Sequence, residues 1–208
     1  LNTNLCEIGF VLDRSGSMNA IRLKKAHNLA MSAIQQPKIH RFSLEQYYEL
    51  GELGLLDQRT ELLEGIITDM EPIGPYHANV GDHLSQIFQK QAGDRYRVRV
   101  QYPINLGRLS QSQPDLVLYR PGLWRGQHPG AADISLVIEI SESSLAFDLG
   151  EKLALYKAAE IREYWVVDLK ARQVHCFVAP QYRRQTLSDW ISPEAWPDIR
   201  IELVELLA

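Results

Sequence analysis

The residue pattern predicts an α/β (α+β) domain built around one mixed β-sheet flanked by helices. Helix-period and strand-period segments follow one another in the order helix, three strands, helix, strands, as in a layered core. Hydrophobic residues make up 45% and charged residues 23% of the 208 positions. That is the balance of a globular domain able to bury a core without disulfides or a structural metal. The apolar runs are short, as in Leu136-Val137-Ile138 and Trp165-Val166-Val167, whereas a membrane helix needs roughly 20 such residues.

A change of composition at Gln35-Gln36-Pro37 divides the chain into an N-terminal appendage, residues 1–36, and a main domain, residues 37–208. The appendage reads as a strand over Ile8 to Leu12, a polar loop from Asp13 to Met18, and a helix over Asn19 to Ile34 that Pro37 ends. In the main domain Ser43 is placed to cap a helix carrying Leu44, Tyr47, Tyr48 and Leu50, with Gly51 and Gly54 stopping it. Glu61 to Ile67 reads as a strand pair turning about Glu64-Gly65. Gly74-Pro75 makes a turn, and His77 to Ala92 has the spacing of an amphipathic helix with Val80, Leu84, Ile87 and Phe88 on one face.

Three strands are expected next. Arg95 to Ile104 alternates Arg95, Arg97 and Arg99 with Tyr96, Val98 and Val100; the others are Asp115 to Tyr119 and Ile134 to Ile140. A helix over Leu149 to Ala159 then leads to strands at Tyr164–Asp168 and Gln173–Val178. The arginine stripe fits either a line of phosphate contacts or an exposed strand face balanced by acids. Tyr156 and Trp165 read as packing aromatics.

Formal net charge is −4, which argues against a protein that coats nucleic acid by bulk charge and leaves room for a local basic site. Leu1 to Phe10 has no basic region of the secretory kind and carries Glu7 within its apolar stretch. Two cysteines, Cys6 and Cys176, form neither a disulfide framework nor a zinc cluster. These features point to a cytoplasmic protein without a membrane partner.

The chemistry lies in the acids. Asp115 begins an apolar strand directly after Pro114, and Glu139 interrupts Leu136-Val137-Ile138-Glu139-Ile140. A carboxylate inside such a strand is costly to bury without a cation. Two acids at neighbouring strand ends can converge on a hard cation such as Mg²⁺. Lys152, early in the following helix, can reach back over the same sheet edge.

These residues carry a resemblance. Glu61-Leu62-Leu63-Glu64-Gly65, Pro72-Ile73-Gly74 with His77, and Gln113-Pro114-Asp115-Leu116 are three of its stretches. Leu136 to Ile140, Glu151-Lys152 with Leu155-Tyr156, and Glu163 to Asp168 complete it. In that order they resemble the Uma2 family, the domain of unknown function 820 of the PD-(D/E)xK nuclease superfamily, over Ile39 to Val178. The resemblance implies a restriction-endonuclease-like core with Asp115 as the motif aspartate and Glu139 as the second acid. The superfamily's lysine, two residues after that acid, is replaced by Ser141. The resemblance moves its role to Lys152.

The activity implied by the resemblance is that of a metal-dependent endonuclease acting on DNA. Asp115 and Glu139, with the Ile140 carbonyl, would hold Mg²⁺ or Mn²⁺, and Lys152 would orient the attacking water or stabilise charge on phosphorus. Supporting roles fall to Glu64, as an outer metal ligand, and His77, as a phosphate contact at a helix start. The alternative for each is structural, Glu64 in a turn and His77 as a helix cap or a hydrogen-bonded structural histidine. A homodimer is an expectation of the nuclease fold. The Ser141 departure keeps open a second reading, a nuclease-fold protein that binds nucleic acid or a protein partner without cutting.

Ile8 to Ser17 resembles the first strand and DxSxS loop of a von Willebrand factor A domain, in which Asp13, Ser15 and Ser17 would be Mg²⁺ ligands. The remainder of that domain is missing from the chain, so the segment is expected to be a fragment without a working metal site.

Overall fold

The computed structural model describes residues 39–208 apart from 57, 58 and 123. The expected appendage, with Asp13, Ser15 and Ser17, lies outside the described residues.

Ser43 opens helix α1 (Leu44–Glu52) with a capping box. Its hydroxyl accepts from the Gln46 N–H, and the Gln46 side chain accepts from the Ser43 N–H. Leu44 and Tyr47 bury against Leu62. Strands β1 (Thr60–Leu63) and β2 (Ile66–Asp69) pair antiparallel, Leu63 opposite Ile66. Their two-residue loop, Glu64 and Gly65, takes φ of 49° and 79°, the left-handed pair a tight hairpin requires. A side chain at 65 is excluded as well, because its Cβ would stand 2.6 Å from that of Arg41. Helix α2 (Pro75–Ala92) starts at Pro75, where the missing N–H costs nothing, and buries Val80, Leu84 and Phe88.

The main sheet contains β3 (Arg97–Val100), β6 (Leu116–Tyr119), β7 (Ile134–Ser141), β8 (Glu163–Asp168), β9 (Gln173–Val178) and β10 (Gln185–Leu187). Their order is β10-β9-β8-β7-β6-β3. Strands β7 and β8 run parallel and the other neighbours antiparallel, so the sheet is mixed. A parallel pair needs a crossover. It is made by α3 (Leu145–Phe147), a π-helical turn over Asp148–Lys152, and α4 (Leu153–Ala158). A second sheet, β2-β1-β5-β4, includes β4 (Ile104–Asn105) and β5 (Gln111–Ser112). Strands β11 (Trp190–Ile191) and β12 (Ile201–Glu202) pair ahead of α5 (Leu203–Leu206).

Both faces of the main sheet are buried. One carries Leu116, Leu118, Leu136, Ile138, Ile140 and Trp165 against α2 and α5. The other carries Val117, Val137, Tyr164 and Val166 against Tyr156 and Ile161. Among the described residues no helix is long and apolar enough to cross a membrane.

Two expectations change, and the arginine stripe falls to one of its two readings. The run from Arg95 to Ile104 is not one strand: Gln101 adopts φ of 53° and Pro103 has no N–H to donate, so the chain leaves β3 and enters the second sheet. The crossover helix begins at Leu145, ahead of Leu149, and contains the π turn. Arg95 pairs with Asp198 at 2.8 Å and Arg97 with Asp94 at 3.9 Å, while Arg99 lies 5.0 Å from the Tyr119 ring. Acids of the chain itself thus balance Arg95 and Arg97.

Candidate active site

Strand periodicity puts Glu139 on the same face of β7 as Val137 and Ser141, opposite Ile138 and Ile140. The antiparallel register pairs Leu116 with Ile138, so one step further Asp115 stands across from Glu139. The Ile140 N–H donates to Asp115 Oδ2 at 2.8 Å, and His77 Nε2 lies 3.0 Å from the same oxygen. Asp115 and Glu139 open onto one cleft of about 520 Å³, with His77, Gln113, Asp148 and Lys152 among its walls.

Lys152 is buried, yet its ammonium lies 2.9 Å from Glu139 Oε1 and 3.2 Å from both oxygens of Glu61. The π turn makes this reach possible. It widens the helix locally, and it turns both Asp148 and Lys152 inward, where they are buried. Ser141, in the position of the strand-borne lysine, donates to Asp148 Oδ2 at 2.6 Å, and Ser144 donates to the same oxygen at 2.5 Å. Tyr156 from α4 donates to Glu139 Oε1 at 2.6 Å. Among the described residues Glu139 Oε2 makes no hydrogen bond.

Burial dominates the electrostatics. It pushes the Glu139 carboxyl up to about 8, because loss of solvent outweighs the Lys152 charge and the acids Asp115, Asp148 and Glu61 add to the rise. For Lys152 burial works against the ammonium, but Glu139 and Glu61 outweigh it and raise its pKa, so it stays charged. His77 is also held above its ordinary value: burial opposes its charge, and the hydrogen bond and charge of Asp115, with Glu142 and Asp148, prevail. Burial raises Asp148 against the bonds from Ser141 and Ser144.

Ser112 Oγ donates to Glu61 Oε1 at 3.0 Å and lies 2.8 Å from Tyr156 Oη.

Oxygens of Asp115 and Glu139 and the main chain at Ile140 are the donors that could take a cation. A set of hard oxygens suits Mg²⁺ or Mn²⁺. Among the described residues no three His, Cys, Asp or Glu side chains converge into a complete cage.

The family model Uma2, described as "Putative restriction endonuclease", matches residues 44–203. The chain belongs to the Uma2 family. A crystal structure of "a putative nuclease belonging to DUF820" from Anabaena variabilis ATCC 29413 is similar to this Uma2 chain with a TM-score of 0.67 and 12% identity. The similarity covers 80% of this chain and 97% of that one. At that identity the likeness is one of fold, and the fold is a nuclease fold. Among curated proteins none matches the chain.

Within this Uma2 domain the structure brings together Asp115, Glu139, Lys152 and His77. The His77 ring is directed at Asp115, and at the start of α2 a Glu142 oxygen lies 2.7 Å from where a Gly74 Cβ would be. A carboxylate therefore already stands where the helix dipole favours an anion. Glu64 is not brought to the cleft: it sits in the β1–β2 turn with its side chain 65% exposed and 4.0 Å from Arg41. The buried acid of that hairpin is Glu61, which the residue pattern alone does not single out. A signal for it exists, since a turn at Glu64-Gly65 leaves Glu61 as the acid within the strand. Asp148 is likewise not singled out by the pattern, although it stands four residues before Lys152 on a helical segment.

Proposed function

We propose that this protein is a metal-dependent endonuclease that hydrolyses phosphodiester bonds in DNA, with its centre at Asp115, Glu139 and Lys152. The observation that carries this reading is the buried ammonium of Lys152, 2.9 Å from Glu139 in the wall of a cleft that Asp115 also lines. Two carboxylates of the main sheet offer oxygens to one hard cation, and a fixed positive charge stands beside them.

Mg²⁺ or Mn²⁺ bound there would supply polarisation of a phosphate and of a water. Asp115 is oriented for this by the Ile140 N–H and by His77. Glu139 is held through Oε1 by Lys152 and Tyr156, leaving Oε2 toward the cleft. The Lys152 ammonium stabilises negative charge growing on the phosphorus oxygens or orients the attacking water, work that needs its position and not its place in the sequence. Ser141 therefore does not disable the site, since an ammonium is supplied from the crossover.

Plasmid, linear duplex and single-stranded DNA incubated with Mg²⁺ or Mn²⁺ test the proposal. Cutting of at least one DNA that stops on chelation and in Asp115→Asn supports it. A folded protein that binds Mn²⁺ and DNA but cuts none of the three would overturn it in favour of a binding role.

A further inference from the structure

Glu61 closes a ring of buried side chains around the lysine. Its Oε1 accepts from the Gln113 N–H at 2.5 Å and from Ser112 Oγ at 3.0 Å. Ser112 contacts Tyr156, Tyr156 contacts Glu139 Oε1, and Lys152 joins that oxygen to both oxygens of Glu61. The five members, Glu61, Ser112, Tyr156, Glu139 and Lys152, are each at most 6% exposed. They come from three separate parts of the fold: Glu61 and Ser112 from the second sheet, Glu139 from the main sheet, and Lys152 and Tyr156 from the crossover.

A lysine on β7 itself would be aimed by its strand. Lys152 has a flexible four-carbon stem, and its ammonium keeps one place only if partners hold it. Glu139 is a poor sole partner. Once its charge is shared with a bound cation, its hold on a neighbouring ammonium weakens, and the two positive charges repel. Glu61 faces the ammonium from the other sheet and is fixed in turn by Gln113 and Ser112.

We infer that Glu61 is the positioning residue for Lys152, retaining its ammonium beside Glu139 when a divalent cation occupies Asp115 and Glu139. Its purpose rests on the hydrolytic reading of the site, and its action is exerted through Lys152 alone.

The test uses the full chain as wild type and Glu61→Gln, whose amide oxygen still accepts from Gln113 and Ser112. Acetylation of Lys152 by an N-hydroxysuccinimide ester is followed by mass spectrometry with and without Mn²⁺. Steady-state cleavage and Mn²⁺ affinity are measured on the same samples. Wild-type Lys152 should resist labelling in both conditions. In Glu61→Gln with Mn²⁺ it should label roughly tenfold faster, the loss of one charge-assisted hydrogen bond. The kcat should fall on the order of 100-fold, with KM and Mn²⁺ affinity little changed.

Equal labelling of the two proteins with Mn²⁺ overturns the inference, and so does a loss of Mn²⁺ affinity without a kcat effect. Should Glu61→Gln fail to fold by circular dichroism, Glu139→Gln decides: Lys152 stays protected if Glu61 holds it, and free labelling there refutes the role. A wild type that cuts no DNA defeats the hydrolytic reading alone, because Lys152 labelling in Glu139→Gln without metal still tests the positioning.

Discussion

Replacing Lys152 by methionine tests the electrostatic centre of the fold. The substitution keeps most of the stem and removes the charge, so Glu139 and Glu61, each 5% exposed in its side chain, lose their shared cation. Removing one partner of a buried ion pair costs about 3–5 kcal/mol, chiefly because the remaining charge is left without solvent or counter-ion. With an m-value of about 2 kcal/mol per M, the urea midpoint at pH 8 should drop by about 1.5–2.5 M. The loss should depend on pH in a defined direction. Glu139 already has a folded-state pKa raised from 4.5 to about 8, so in that window the folded protein binds more protons than the unfolded chain. Its stability contribution is therefore full below the unfolded value and lost as pH rises toward 8. Without Lys152 the Glu139 carboxyl moves further in that direction, and protonation relieves it as pH falls. Urea melts of wild type and Lys152→Met, followed by tryptophan fluorescence at pH 8 and pH 5.5, should show a large gap at pH 8 that narrows at pH 5.5. A gap below about 1 kcal/mol at pH 8, within the range of exposed pairs, or a gap that widens as pH falls, would refute the reasoning.

Mn²⁺ binding should tighten from pH 6 to pH 8 by up to about tenfold per pH unit, because the cation must displace the Glu139 proton; calorimetry on Glu139→Gln should remove that slope. Gly65→Ala should destabilise the protein by about 1–3 kcal/mol, since residue 65 has φ of 79° and its Cβ would meet Arg41; a thermal melt equal to wild type contradicts this. Cys176 is 5% exposed, and burial with Glu163 beside it pushes its thiol up to about 12. Iodoacetamide at pH 8 should leave Cys176 unmodified until denaturant is added, and rapid native labelling read by peptide mass would contradict the buried assignment.

The main sheet is legible in the sequence because its strands announce themselves. Leu136 to Ile140 and Tyr164 to Asp168 are apolar runs of strand length, and an acid within such a run stands out physically. That contrast is what marks Glu139 and, after Pro114, Asp115. Ser43 and the Glu64-Gly65 turn are readable from local chemistry alone. Strands β4 and β5 are not, because two residues carry no periodicity and their pairing is decided by tertiary contacts. The π turn is equally hidden. Nothing in Asp148-Leu149-Gly150-Glu151-Lys152 distinguishes it from α-helix, yet it decides that both Asp148 and Lys152 face inward. Glu61 is hard to single out because two glutamates three residues apart look equivalent until one is assigned to the turn and the other to the strand.

The most direct measurement of the site is the single-turnover rate of DNA cleavage at saturating Mn²⁺ and pH 8 for wild type and Glu139→Gln, with matched melting curves to establish that both are folded. The expected result is cutting by wild type and loss of about two to three orders of magnitude in the variant, of the scale seen when a charge-stabilising group is removed from a catalytic centre. Equal rates in the two proteins would contradict the assignment of Glu139 to the reaction and remove this cleft as its site.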